Sequence, residues 1–124
     1  MSQKILVADD EPNIVISLEY LLKREGYTVL VARDGQEALD MIATEHPALV
    51  LLDVMMPKKT GFEVCQAVRA SEGLQSTKIL MLSAKGRDTD IAKGLALGAD
   101  AYMTKPFSTR ELVQKVADML GSPP

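Results

Sequence analysis

At 124 residues, 47% of them hydrophobic and 25% charged, the chain has the size and balance of one globular domain able to bury a core without metals or disulfides. A formal net charge of −3 excludes the positive surplus that would neutralise nucleic-acid phosphates or hold an anionic membrane, so direct binding to either is not expected. The single cysteine, Cys65, cannot form an internal disulfide, the opening residues lack a signal-peptide core, and no apolar run nears the roughly 18 residues of a membrane span; together these point to the cytosol.

Lys4–Ala8 is a short β-branched apolar run and reads as the first strand. Ile14, Leu18, Leu21 and Leu22 then recur at helical spacing, with Gly26 as a stop. Thr28–Val31 is a second strand. Asp34 with Glu37 forms a capping-box pattern ahead of Ala38, Leu39, Ile42 and Ala43, a helix that ends near His46-Pro47. Ala48–Leu52 is a third strand, apolar throughout, as suits a strand covered on both faces. Thr60 with Glu63 opens a third helix carrying Val64, Cys65 and Val68; Lys78–Leu82 is a fourth strand; a helix from about Asp88 to Leu97 ends at Gly98. Ala101–Met103 is the last strand, and Ser108 with Glu111 opens a final helix that Gly121 stops.

Strict alternation of five strands and five helices defines an α/β fold, a doubly wound five-stranded parallel sheet of the flavodoxin-like type. For this size the expected strand order is 2-1-3-4-5, with a ligand crevice at the carboxyl ends of strands one and three. Residues 1–120 form the domain, and 121–124 are a C-terminal tail or the stub of a linker.

That crevice is where the chemistry collects. Strand one runs into Asp9-Asp10 and strand three into Asp53. Two carboxylates about 4 Å apart repel by roughly 4 kcal/mol at an effective dielectric near 20, so the cluster should raise a pKa or attract a cation. Magnesium, or manganese, suits such oxygen ligands and commonly shares them with a phosphate. Ser83 follows strand four and Lys105 follows strand five at the same edge, adding a hydroxyl and an ammonium. A carboxylate nucleophile with positive charge on the phosphoryl oxygens makes an acyl phosphate. A cis Lys105-Pro106 bond is one way to aim the ammonium inward.

Asp9-Asp10, Leu52-Asp53-Val54-Met55-Met56-Pro57, Gly61, Ser83-Ala84 and Lys105-Pro106-Phe107, with Ser83 at Asp53 plus 30 and Lys105 at Asp53 plus 52, together resemble the signature of bacterial response-regulator receivers over residues 4–120. The resemblance implies Asp53 as phosphoacceptor, Asp10 as direct magnesium ligand, Asp9 as a partner acting partly through water, and the Met55 carbonyl as the remaining protein ligand. It implies that Ser83 and Lys105 grip the phosphoryl oxygens, that Tyr102 changes rotamer as Ser83 moves, and that Ser83, Tyr102 and Pro106 belong to the switch. The expected donor is a sensor histidine kinase or a histidine phosphotransfer protein. An output partner or domain should respond, through the face made by the fourth helix, last strand and last helix. Homodimerisation on phosphorylation is left open, since Ala101 stands where a charged pair would help.

Met55 and Lys85 occupy the positions two after the phosphoacceptor and two after the hydroxyl, and neither is suited to activating water. A phosphoryl lifetime longer than that of the shortest-lived receivers is expected, with Lys85 available to pair with the phosphate. Gly94 within the fourth helix costs roughly 1 kcal/mol relative to Ala, consistent with a movable element. Simpler readings stand beside these. Asp9-Asp10-Glu11 could cap the first helix; Cys65 is a packing residue, His46 a helix-end cap, and Met55, Met56, Met81 and Met103 gap fillers among strand ends. A flavin-binding module would need a phosphate-cradling loop where this chain has acids, and an aspartyl-phosphate phosphatase would show Asp-x-Asp where it has Asp53-Val54-Met55.

Overall fold

The computed structural model describes residues 3–84 and 88–121. Five strands and five helices alternate: β1 (Lys4–Ala8), α1 (Pro12–Arg24), β2 (Thr28–Ala32), α2 (Gly35–Glu45), β3 (Leu49–Asp53), α3 (Gly61–Ala70), β4 (Lys78–Ala84), α4 (Asp88–Ala96), β5 (Ala101–Lys105) and α5 (Thr109–Leu120). The strands are all parallel, in the order β2-β1-β3-β4-β5. No helix among the described residues is long and apolar enough to cross a membrane.

Because successive strand residues point to opposite faces, the apolar runs build two cores. Ile5, Val7, Leu49, Leu51, Leu80 and Leu82 face α1 and α5, meeting Val15, Leu18, Leu22, Leu112 and Val116. Leu6, Ala8, Val50, Leu52, Ile79 and Met81 face the other side, meeting Ala38, Ile42, Val64, Cys65 and Val68. The central β3 is buried at every position, whereas the edge strand β2 is half-exposed along most of its length. Cys65 is fully buried and donates its Sγ–H to the Leu97 carbonyl at 3.6 Å, the behaviour of a packing residue.

Two strands run further than their apolar runs suggest. β4 continues through Ser83 to Ala84 and β5 through Thr104 to Lys105, paired Ser83 with Thr104 and Ala84 with Lys105. Backbone pairing is indifferent to side-chain polarity, so the ladder carries on after hydrophobicity stops. Ser83 and Lys105 therefore sit on the last rungs of strands instead of on free loops.

The caps vary as well. Thr60 and Glu63 make the reciprocal box, each side chain bonded to the other's amide. Asp34 accepts from the Glu37 amide, but the Glu37 carboxylate reaches past it to the Arg33 amide at 3.0 Å. Ser108 accepts from the Glu111 amide at 3.0 Å. His46 ends α2 in a left-handed conformation, φ 48°, its amide bonded to the Ile42 carbonyl. Gly94 has a packing reason that its sequence context hid: a Cβ there would stand 3.3 Å from Met81 Cε, so the glycine lets α4 lie close on β4. Lys93 covers the neighbouring Phe62 ring, 4.6 Å from its centroid.

Arg69, on α3, binds the ends of β4 and β5 together. Its guanidinium donates to the carbonyls of Gly98 (2.8 Å), Gln75 (3.2 Å) and Thr77 (2.7 Å) and to Asp100 Oδ2 (2.8 Å). Asp100 Oδ2 also accepts from the Ile79 amide at 2.8 Å. Gly98, at φ +112°, is required beneath it, because a Cβ would come within 2.7 Å of Arg69 Cγ. Replacing Arg69 by Met keeps the apolar stem and strands these acceptors, so Arg69→Met is expected to destabilise the fold by about 2–3 kcal/mol in urea unfolding; an unchanged midpoint would show the network to be idle.

Candidate phosphoryl and metal site

The register explains how residues 44 apart in the chain become neighbours. Ala8 pairs with Leu52, so the next residues, Asp9 and Asp53, emerge side by side at the carboxyl edge. Asp9 is fully buried and Asp53 is 7% exposed, while Asp10 faces solvent. Carboxylate oxygens of Asp9, Asp10 and Asp53 all lie within 4.8 Å of one another. From the opposite side comes Lys105, its ammonium 2.9 Å from Asp9 Oδ2, 3.1 Å from Glu11 Oε1 and 3.4 Å from Asp53 Oδ1. The Lys105-Pro106 peptide is cis.

The cleft over these groups, ≈ 340 Å³, is lined by Asp10, Glu11, Asp53, Val54, Met55, Ala84, Asp90 and Lys105. With a water occupying about 30 Å³, it has room for a partly hydrated ion and a phosphoryl group. Gly61 packs against the backbone of Asp53 and Val54: its amide donates to the Val54 carbonyl at 2.8 Å, and any Cβ would collide with the Asp53 carbonyl. Gly35 admits the loop after β3 in the same manner, where a side chain would meet the Lys59 carbonyl.

Four carboxylates, Asp9, Asp10, Glu11 and Asp53, outnumber the one ammonium among them. Burial, and then the Asp9 charge, push the Asp53 carboxyl up to about 6, against the opposing pull of Lys105 and the Met55 amide. Burial alone would disfavour the Lys105 cation, but its hydrogen bond to Asp9 and the charges of Asp53 and Asp9 outweigh it and raise its pKa. An all-oxygen donor set of this spacing fits magnesium, whose ligand oxygens at about 2.1 Å stand about 3 Å apart when adjacent and about 4.2 Å apart when opposite.

Of the residues expected from sequence, Asp9, Asp10, Asp53, Met55 and Lys105 come together around the cleft. Ser83 does not line it: the side chain is buried and donates to the Ala84 carbonyl at 3.2 Å. Met56, Met81 and Met103 are buried gap fillers, but Met55 is not; it is 61% exposed, because it follows the strand on a loop at the rim. Tyr102 is 43% exposed on β5, facing a groove shared with Phe107 and Arg110. Lys85 lies outside the described residues. The first-helix capping alternative is not realised: Glu11 occupies the N-cap position but makes no side-chain cap bond, and Asp9 Oδ1 accepts the Glu11 amide at 2.9 Å.

Two lining residues escaped the sequence reading. Glu11 was absorbed into a capping explanation, although its place directly after Asp9-Asp10 was a signal; Asp90 gave none, since only the packing of α4 brings it to the rim.

Comparison with known proteins agrees with this fold. Residues 5–117 match the family model described as "Response regulator receiver domain". The chain is 52% identical over 120 residues to the alkaline phosphatase synthesis transcriptional regulatory protein PhoP of Bacillus subtilis (strain 168), an alignment covering 97% of this chain and 49% of PhoP. It thus spans about half the length of that relative. Among solved structures, the chemotaxis response regulator CheY4 of Vibrio cholerae superposes with TM-score 0.91 at 33% identity, covering 97% of this chain and 100% of CheY4. The receiver domain of sensor histidine kinase PA1611 from Pseudomonas aeruginosa PAO1, solved with a magnesium ion coordinated in its active-site cleft, does so with TM-score 0.90 at 28% identity, covering 98% and 100%. The chain belongs to the response-regulator receiver family of two-component signalling.

A carboxyl with a higher pKa folded than unfolded holds its proton more tightly in the native state. The Asp53 contribution to stability is therefore complete below the unfolded value of 3.8 and lost as pH climbs through about 6. Asp53→Asn, which removes the ionisation, is expected to stabilise the metal-free protein by about 2–3 kcal/mol near pH 7.5 and by little near pH 4 in urea unfolding. An equal effect at both pH values would contradict this electrostatic account.

Proposed function

We propose that Asp53 accepts a phosphoryl group from the phosphohistidine of a sensor kinase or histidine phosphotransfer protein, and that the chain works as a switch that assists its own phosphorylation and dephosphorylation. The observation that carries this reading is the position of the Lys105 ammonium, 3.4 Å from Asp53 Oδ1 across a cleft whose three clustered carboxylates call for a divalent cation. Magnesium or manganese on Asp9, Asp10, Asp53 and the Met55 carbonyl would supply charge compensation for the phosphoryl oxygens.

An Asp53 oxygen attacks phosphorus in line while the bond from phosphorus to the donor imidazole nitrogen breaks, the electron pair leaving with nitrogen. Lys105 offsets charge gathering on the phosphoryl oxygens. The ionised Asp53 is the nucleophile, so reactivity at neutral pH gains from the fraction deprotonated above about 6. Ser83 turns from the Ala84 carbonyl toward the new phosphoryl group, and the space it leaves draws in Tyr102. Moving a two-state equilibrium from 1:99 to 99:1 takes about 5.5 kcal/mol of preference, which new bonds from phosphate to Ser83 and Lys105 are suited to supply. The face made by α4, β5 and α5 then differs between states, and an output partner or domain, or a second copy of the chain, reads it. A cytoplasmic location follows from this partnership. Hydrolysis by water returns the Asp53 carboxylate and inorganic phosphate.

Incubation with acetyl phosphate and magnesium chloride should add the mass of one phosphoryl group, and Asp53→Ala or chelation of the metal should abolish it. A gain that survives Asp53→Ala would overturn the assignment. Met55 offers an attacking water no hydrogen bond, so Met55→Asn is expected to shorten the phosphoryl lifetime several-fold, followed as loss of that mass after the donor is removed. An unchanged lifetime would remove Met55 from the account.

A further inference from the structure

The Lys105 ammonium has three N–H donors and no acceptor. Two of them are hydrogen-bonded, to Asp9 Oδ2 at 2.9 Å and Glu11 Oε1 at 3.1 Å, and the ammonium is ion-paired with Asp53 Oδ1 at 3.4 Å. The ammonium is thus held by two carboxylates that do not react, and drawing it closer to a phosphoryl oxygen on Asp53 works against one of them.

The surroundings of each carboxylate decide which. Asp9 is completely buried, and its other oxygen is already committed to the Glu11 amide; withdrawing Lys105 from it would leave a buried charge uncompensated. Asp53 is the reacting group itself. The Glu11 side chain is 59% exposed, so its carboxylate returns to water at little cost. Its present position is also informative. Glu11 makes no side-chain bond to the helix amides and reaches instead to a residue 94 positions away.

We infer that Glu11 is a positioning residue: it holds Lys105 back from the phosphoryl site in the resting protein and is the contact given up as the acyl phosphate forms. This rests on the reading of Asp53 as phosphoacceptor. The Glu11 carboxylate opposes that step by retaining the ammonium, and neutralising it should make phosphorylation faster.

The test is the initial rate of Asp53 phosphorylation by acetyl phosphate with magnesium, read by mass, for the wild-type chain, Glu11→Gln, Lys105→Met and the double variant. Unchanged urea midpoints for Glu11→Gln would confirm that this exposed substitution leaves the fold intact. A unit charge removed a few ångströms from the reacting group should accelerate the wild-type reaction about five-fold. If Glu11 acts through Lys105, the same substitution in the Lys105→Met background should change the rate by less than about two-fold. Equal acceleration in both backgrounds would mean that Glu11 acts only as a nearby charge, and no acceleration in the wild-type background would mean that it restrains nothing; either overturns the inference. A wild-type chain that takes up no phosphoryl group would instead strike the Asp53 assignment, and the Glu11 inference with it.

Discussion

A single half-buried ammonium facing several carboxylates is the constraint on which the site depends. Asp9 and Asp53 leave the sheet as neighbours because β1 and β3 are paired in register, and without Lys105 their mutual repulsion in a desolvated cleft would have no protein counter-charge among the described residues. Even with it, Asp53 remains hard to ionise. The cleft is thus a place where negative charge is held at high free energy, and the chemistry that relieves it, cation binding, is also the chemistry that prepares a carboxylate to meet a phosphoryl group.

The fold holds that arrangement from two sides. On one face, α1 and α5 pack against Ile5, Val7, Leu49 and Leu51, fixing the strands that end in Asp9 and Asp53. On the other, Gly61 and Gly35 allow the loop after β3 to be clasped between α2 and α3, with backbone contacts too close for any side chain. Tight packing of this kind fixes the main chain around Asp53 while leaving Met55 free at the rim. Rigidity in the frame and exposure at the rim suit a site that must be reached by another protein.

The helix that would report the state of the site is secured unequally. At its C-terminal end, Arg69 and Asp100 tie the Gly98 turn and the start of β5 to α3 and to β4 through four bonds from one guanidinium. Along its length, Gly94 sits against Met81 and Phe62, the flexible ends of side chains. Asp90, in its first turn, borders the cleft. The helix is thus held at one end and borders the reactive groups at the other.

The sequence alone determined the element order and the parallel sheet, because hydrophobic period and capping residues are local properties that survive without coordinates, and the strand order followed from the fold class that they define. It also located Asp9, Asp10, Asp53 and Lys105 at one edge, since in a doubly wound sheet every strand's carboxyl end arrives there. Tertiary structure decided the rest. Strand pairing carried β4 and β5 past their apolar runs to include Ser83 and Lys105; burial separated Asp9 from Asp10; packing of α4 brought Asp90 to the rim; and the reach of Lys105 turned Glu11 from an apparent cap into a partner. None of these follows from local pattern, because each depends on which distant group occupies the neighbouring space.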